Sequence, residues 1–140
     1  MHDIGKLCVP DEIVEKPARL TVAEFSVMER HSFETFQILR HVPGLETVAE
    51  WAAFHHEALN GHGYPFRRSA PTLVPEARII AVADVFQALA QVRPYRGAQR
   101  LDEISCTLGE FAGKGILDPD IVALAREDLD SSFRAATQTI

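Results

Sequence analysis

Residues 75–92, PEARIIAVADVFQALAQV, decide the fold of this chain. Pro75 suits the first turn of a helix, and the apolar residues that follow leave almost no polar face. A helix of this kind is buried among other helices, so the segment predicts the central helix of the fold. Asp84 lies in the middle of this helix, where an ionised carboxylate must be paired or ligated to offset its desolvation.

Helical spacing of apolar residues recurs on both sides of this central segment. Thr21 and Glu24 have the spacing of a capping box. Asp118, ahead of Pro119, is a suitable N-cap for the last helix. The four further helices are predicted over residues 20–42, 45–59, 100–114 and 117–129.

The predicted fold class is all-α. No useful length of strand-like alternation and no internal repeat occurs in the sequence, and a hydrophobic content of 46% in 140 residues is typical of a single packed domain. We therefore expect a helical bundle over residues 1–130, followed by a frayed tail over residues 131–140.

Composition restricts the functional class. A net charge of −6 argues against a nucleic acid polymer or an anionic membrane as the partner. Cys8 and Cys106 are too far apart for a CxxC motif, and no apolar run reaches the roughly 20 residues of a membrane helix. These features, with no signal peptide at the start, predict a cytoplasmic domain.

Candidate metal ligands are spread over four segments of the chain. Consecutive residues on a helix point about 100° apart, so His55 and His56 are expected to reach two neighbouring ions rather than share one. Mixed imidazole and carboxylate donors suit iron, manganese or another transition metal rather than calcium, and they do not decide among these ions. The candidate ligands are His2, Asp3, His31, His55, His56 and Asp84.

Several of these residues, and two arginines near them in the sequence, also have ordinary structural explanations. Asp84 could form a salt bridge with Arg78 or Arg93, and His31 could lie on a polar helix face. The histidine pair could lie at a solvated helix end. Arg93 and Arg96 suit the phosphates of a substrate, but they equally suit the exposed carbonyls at a helix C-terminus.

Five motifs in order resemble the HD-GYP family, a branch of the HD superfamily of metal-dependent phosphohydrolases. They are HDIGK (2–6), MERH (28–31), HHEALNGHGYP (55–65), VPEARIIAVADVF (74–86) and RPYR (93–96), with KPARLT and LDPDIV between and after them. The resemblance covers residues 2 to about 125. It places all six candidate ligands on family ligand positions.

The resemblance implies a bundle that holds two or three divalent metal ions, iron or manganese, and hydrolyses cyclic di-GMP to pGpG and GMP. It gives Asp3 a bridging role and Lys6 a catalytic role near the scissile phosphate. It associates the GYP loop with a GGDEF-domain partner. The substrate-binding residues that it implies are Lys6, Asn60, Gly63, Tyr64, Pro65, Gln87, Arg93 and Arg96.

Two departures from the family pattern give a second interpretation. In the family a further helix with another ligand precedes HDIGK, so we expect a bundle that lacks its first helices, with an uncovered face that favours a homodimer. Gln87 stands where the family has a carboxylate. The alternative is therefore a module that binds a cyclic dinucleotide or a GGDEF domain without turnover.

Overall fold

The computed structural model describes residues 1–92 and 97–137, and within these ranges it contains α-helices and no strand. The all-α prediction is thus confirmed. Two short 3-10 helices, Ile4–Cys8 and Ala70–Thr72, lie in the connections. The α-helices are α1 (Asp11–Val14), α2 (Val22–Leu39), α3 (Glu46–Ala53), α4 (Pro75–Ala90), α5 (Leu101–Gly113), α6 (Pro119–Glu127) and α7 (Leu129–Thr137).

Both predicted helix caps are present. At the start of α2 the Thr21 hydroxyl accepts a hydrogen bond from the backbone N–H of Glu24 (3.3 Å), and the Glu24 carboxylate accepts one from the backbone N–H of Thr21 (2.7 Å). At the start of α6 the Asp118 carboxylate accepts from the N–H groups of Asp120 and Ile121. These bonds satisfy backbone donors that a helix leaves free at its N-terminus.

Helix α4 is central, as predicted. It packs against α3 on one side and against α5, α6 and α7 on the other. Val82, Phe86 and Leu89 of α4 are buried in one cluster with Ile104 and Leu108 of α5. No helix in the described part of the chain is both long enough and apolar enough to cross a membrane.

The C-terminal tail differs from the prediction. Residues Leu129–Thr137 form helix α7 instead of a frayed end. Leu129, Phe133 and Ala136 recur at helical spacing and pack against the cluster around α4 and α5. The short apolar stripe that they form is the signal that the sequence analysis missed.

The second predicted helix also ends earlier than expected. Helix α3 stops at Ala53, with Phe54 as its C-cap, and His55 and His56 lie in the turn that follows. The buried aromatic ring of Phe54 packs with Leu73 and Ala77. The chain therefore leaves the helix immediately before the histidine pair.

The first residues of the chain are held against α2 by a close backbone approach at Gly5. The Gly5 N–H donates to the Thr35 hydroxyl (2.9 Å), which in turn donates to the carbonyl oxygen of His2 (3.0 Å). A Cβ atom at Gly5 would collide with the carbonyl oxygen of His31 and with Thr35. The absence of a side chain at Gly5 thus places His2 and Asp3 beside His31.

We expect Gly5→Ala to lower the free energy of unfolding by about 1–3 kcal/mol, the usual cost of overpacking. Gly113→Ala is the matched control, because a Cβ there meets nothing within 4 Å and alanine favours the helix. Urea denaturation followed by circular dichroism measures both. Equal stability of the two variants would contradict the close approach at Gly5.

Candidate metal centre

Asp3 lies at the centre of the candidate site. Its Oδ1 atom lies 3.4 Å from Nε2 of His31 and 3.8 Å from Nε2 of His55. Its Oδ2 atom lies 2.7 Å from Nζ of Lys6 and 3.6 Å from Nε2 of His2. Residues from the chain start, α2 and the turn after α3 therefore converge on one carboxylate.

The tautomers of His31 and His55 are fixed by backbone carbonyl groups. Nδ1 of His31 donates to the carbonyl oxygen of Met28 (2.6 Å), and Nδ1 of His55 donates to that of Ala52 (2.6 Å). A carbonyl oxygen can only accept, so each Nδ1 carries the proton and each neutral ring presents a lone pair at Nε2. This is the usual arrangement of a metal-binding histidine.

Asp84 completes the cluster from α4. Its Oδ1 atom lies 3.5 Å from Nε2 of His2. The alternative of a salt bridge with Arg78 is wrong, because Arg78 pairs with Asp118 at 3.0 Å. The alternative of a polar-face position for His31 is also wrong, since His31 is only 1% exposed.

The donor atoms form two groups that share one histidine. His31, His55 and His56 make up the first group, and His2, Asp3 and His55 make up the second, with donor atoms within 4.8 Å of one another in each. The sequence analysis assigned His55 and His56 to different ions from the 100° spacing of helical residues. That reasoning does not apply, because neither histidine lies in a helix. Their ring centroids are only 3.9 Å apart.

Two observations show that divalent ions fit these residues. Asp3 Oδ1 is buried without a hydrogen-bond partner in the described ranges. Nε2 of His31 and Nε2 of His55, both lone-pair atoms, face each other at 3.4 Å. Ligand atoms about 2.1 Å from one ion lie about 3.0–3.4 Å apart. A cation bound here would therefore give Asp3 Oδ1 a partner and would separate the two facing lone pairs.

The pKa values of these groups favour the ligand forms. Burial raises the pKa of Asp3, but the groups around it, among them the Lys6 ammonium that donates to Oδ2 at 2.7 Å, outweigh burial and hold that pKa well below its ordinary range. Burial is the main cause that lowers the pKa of both neighbouring histidines. The pKa of His55 falls to about 4 and the pKa of His56 to about 3. At neutral pH the site therefore offers the Asp3 carboxylate and the unprotonated imidazoles of His55 and His56.

A cleft of about 560 Å³ opens on this cluster. His31, His56 and Asp84 form its floor, and Lys6 contributes a cation to its wall. The volume is typical of a site for a small molecule. The remaining wall residues include several that sequence analysis did not single out, namely Lys16, Arg19, Phe25 and Met28.

The GYP segment lies against the histidine cluster. The Tyr64 ring centroid is 4.8 Å from that of His56, and burial raises the pKa of Tyr64, which keeps the phenol neutral. A Cβ at Gly63 would collide with the backbone of residues 56–58.

Glu57, which sequence analysis did not single out, accepts hydrogen bonds from the N–H groups of Phe66 and Arg68. Its position directly after the histidine pair is the only signal in the sequence, and its contacts with the loop are visible only in the structure.

Other sequence-predicted substrate residues lie elsewhere. Asn60 is bound to the end of α5, donating to the carbonyl oxygen of Lys114 at 3.0 Å. Gln87 lines a separate groove between α4 and the pair α6 and α7, away from the metal ligands. Pro65 lines an outer groove on the GYP loop. Arg93 and Arg96 lie outside the described residues.

Comparison with known proteins defines the class. The HD domain family matches residues 1–121. A 3'3'-cGAMP-specific phosphodiesterase 1 of Vibrio cholerae serotype O1 is 44% identical over 121 residues, which are 86% of this chain and 28% of that protein.

Two further relatives are named for a different cyclic dinucleotide. A cyclic di-GMP phosphodiesterase of Thermotoga maritima is 38% identical over 124 residues, 87% of this chain and 33% of that protein. A cyclic di-GMP phosphodiesterase response regulator of Xanthomonas campestris pv. campestris is also 38% identical over 124 residues, 87% of this chain and 32% of that protein. The chain thus spans about a third or less of the length of these relatives.

This chain belongs to the HD domain family. The names of its relatives agree with the HD-GYP resemblance of its motifs, which is confirmed. The His and Asp cluster can hold divalent metal, as HD domains do.

We expect His55→Ala to weaken metal binding more than His56→Ala, because His55 is a candidate donor in either group and its ring is oriented by the Ala52 carbonyl oxygen. Each variant is loaded with Mn(II), desalted and analysed for metal content by mass spectrometry. His41→Ala is the control, since His41 is exposed in the turn that follows α2. Equal losses in the two variants would contradict the larger role of His55.

Proposed function

We propose that this chain is the hydrolytic domain of a metal-dependent phosphodiesterase that cleaves a 3'3'-cyclic dinucleotide. The observation that carries the proposal is a cluster of six donor residues, with Asp3 at its centre, that underlies a cleft which also holds cationic side chains. The names of the relatives support the same class of reaction. A cyclic dinucleotide needs metal ions at its phosphate and a cleft for its bases.

Iron or manganese is the proposed metal, because imidazole and carboxylate donors suit both ions. His31, His55 and His56 would hold one ion, and His2, Asp3 and Asp84 would hold a second. Two ions in such a site activate water and stabilise the attacking and leaving oxygens of a phosphodiester.

The side chains of this protein orient and neutralise the substrate. Lys6 directs a positive charge into the cleft while its ammonium group donates to Asp3 at 2.7 Å. In this position it stabilises negative charge that develops on a phosphate oxygen. Breaking one P–O3' bond by water would give the linear 5'-phosphorylated dinucleotide, and breaking the second would give mononucleotides.

Cyclic di-GMP is the substrate that the motifs predict, and 3'3'-cGAMP is a substrate of the same chemical class. The two differ in one base, so their phosphates would meet the same metal ions and cations. The cleft walls formed by Phe25, Met28 and Tyr64 offer apolar and aromatic surface for the bases. A GGDEF-domain partner and a homodimer remain predictions from the sequence.

The alternative of a module without turnover has less support. It depended partly on Gln87, which lines the groove on the other side of α4. The ligands His2, Asp3, His31, His55, His56 and Asp84 are all present in the cluster.

We expect the Mn(II)-loaded chain to convert cyclic di-GMP or 3'3'-cGAMP into linear dinucleotide, with products separated by chromatography. A double variant, His55→Ala with His56→Ala, should reduce the rate at least 100-fold because it removes ligands of both groups. Metal-loaded, folded wild-type protein that binds either dinucleotide without product would favour the non-catalytic module.

Arg19 provides a test of the substrate side. It is exposed on the cleft wall and forms no hydrogen bond or ion pair within residues 1–92 and 97–137, whereas nearby Lys16 is paired with Glu24 at 2.6 Å. We expect Arg19→Ala to raise KM about tenfold, the loss of one charge-assisted hydrogen bond, with little change in metal content.

Arg40→Ala is the matched control for this measurement, because Arg40 lies over the Phe36 ring at the end of α2 and does not line the cleft. An unchanged KM in Arg19→Ala would remove Arg19 from the substrate site.

A further inference from the structure

The histidines of the first donor group are supported in different ways. His31 and His55 each donate from Nδ1 to a backbone carbonyl group. His56 has no such bond to any residue that the structure describes. A ring without a second hydrogen bond is free to rotate away from the ion, unless packing holds it in place.

The His56 ring contacts the rings of His55 and His31, which are themselves candidate donors, and that of Tyr64, which is not. The rings of Tyr64 and His56 lie 4.8 Å apart between centroids with an angle of 32° between their planes, within the range of an offset stack. Phe25 of α2 meets the Tyr64 ring at 6.3 Å in an edge-to-face contact. Tyr64 therefore lies in contact with both the histidine and α2.

The segment that carries Tyr64 is itself fixed to the histidine turn. The backbone N–H of Tyr64 donates to the carbonyl oxygen of His56 at 3.1 Å. Gly63 lies directly on the backbone of residues 56–58. The adjoining Glu57 carboxylate binds the Phe66 N–H at 2.6 Å, so the loop and the turn form one unit.

We propose that Tyr64 is a positioning residue for the metal ligand His56, with its stacked ring replacing the backbone carbonyl that orients His31 and His55. The role depends on the aromatic ring and not on the phenol hydroxyl. This inference deepens the proposed function, because it rests on metal binding by the histidine cluster and assigns a specific task to the GYP tyrosine.

The test compares Tyr64→Leu with Tyr64→Phe by Mn(II) titration of the metal-free chain. We expect Tyr64→Leu to weaken the binding of one ion about tenfold, as the loss of a supporting contact to a ligand commonly does. Tyr64→Phe keeps the ring and should bind as the wild type does. Weakening by Tyr64→Phe to the same extent would overturn the proposal, since the hydroxyl would then be responsible.

Phe66→Leu separates positioning from loop stability. Phe66 is two residues further along the loop, and its ring packs against Phe33, Phe36 and Phe54 instead of the histidines. We expect this variant to lower the Tm of the metal-free protein while leaving Mn(II) affinity within about twofold. We expect Tyr64→Leu to reduce chiefly the rise in Tm on metal addition.

Equal Mn(II) affinity in wild type and Tyr64→Leu would overturn the positioning role, as would equal weakening by Phe66→Leu. Failure of the wild-type chain to bind Mn(II), Fe(II) or Co(II) would instead refute the metal centre itself. The two failures are therefore distinguishable without measuring hydrolysis.

Discussion

The Asp3 carboxylate is the point on which the arrangement of this domain depends. One of its oxygens is buried without a hydrogen bond from the described residues, and it lies between two imidazole nitrogens that carry lone pairs. Such a combination is costly in the absence of a cation. The cluster stays together despite this unfavourable burial because contacts elsewhere in the fold hold the participating segments in place.

Those contacts have little to do with metal chemistry. Gly5 and Thr35 fix the chain start to α2, and the packing of α2 on α3 brings His31 to the turn that carries His55. The packing of α3 against α4 then places Asp84 opposite His2. Arg78 serves this frame by joining α4 to the Asp118 cap of α6, which leaves Asp84 without an arginine partner in the described ranges.

Much of this could be predicted from sequence because it depends on local chemistry. The capping box of Thr21, the cap at Asp118 and the apolar surface of α4 each express a preference of neighbouring residues, and each is found in the structure. Errors arose where tertiary packing decides the outcome. Helix α3 ends at Ala53, and the next residue, Phe54, packs in a core with Leu73. The rings of His55 and His56 are therefore not separated by the helical spacing that the sequence analysis assumed.

The candidate site shows the same division. Residue type pointed to the candidate metal donors, because histidine and aspartate in apolar surroundings require a partner, and the structure brings these candidates together. Residue type could not show that Arg19 lines the cleft or that Gln87 lines a different groove. Both assignments depend on which way a side chain faces. Orientation of this kind is set by contacts distant in the sequence, such as those that bring the α1–α2 connection over the cleft.

The cleft has a rigid side and an adaptable side. His31 and His55 are almost completely buried and are fixed by backbone carbonyl groups, whereas Arg19 and Phe25 are exposed on the opposite wall. Catalysis of phosphodiester cleavage needs fixed geometry at the phosphate, but discrimination between guanine and adenine depends on contacts at the base. Under the proposed function, the candidate metal ligands would serve any 3'3'-cyclic dinucleotide equally, and the choice of base would fall to the exposed wall and the GYP loop.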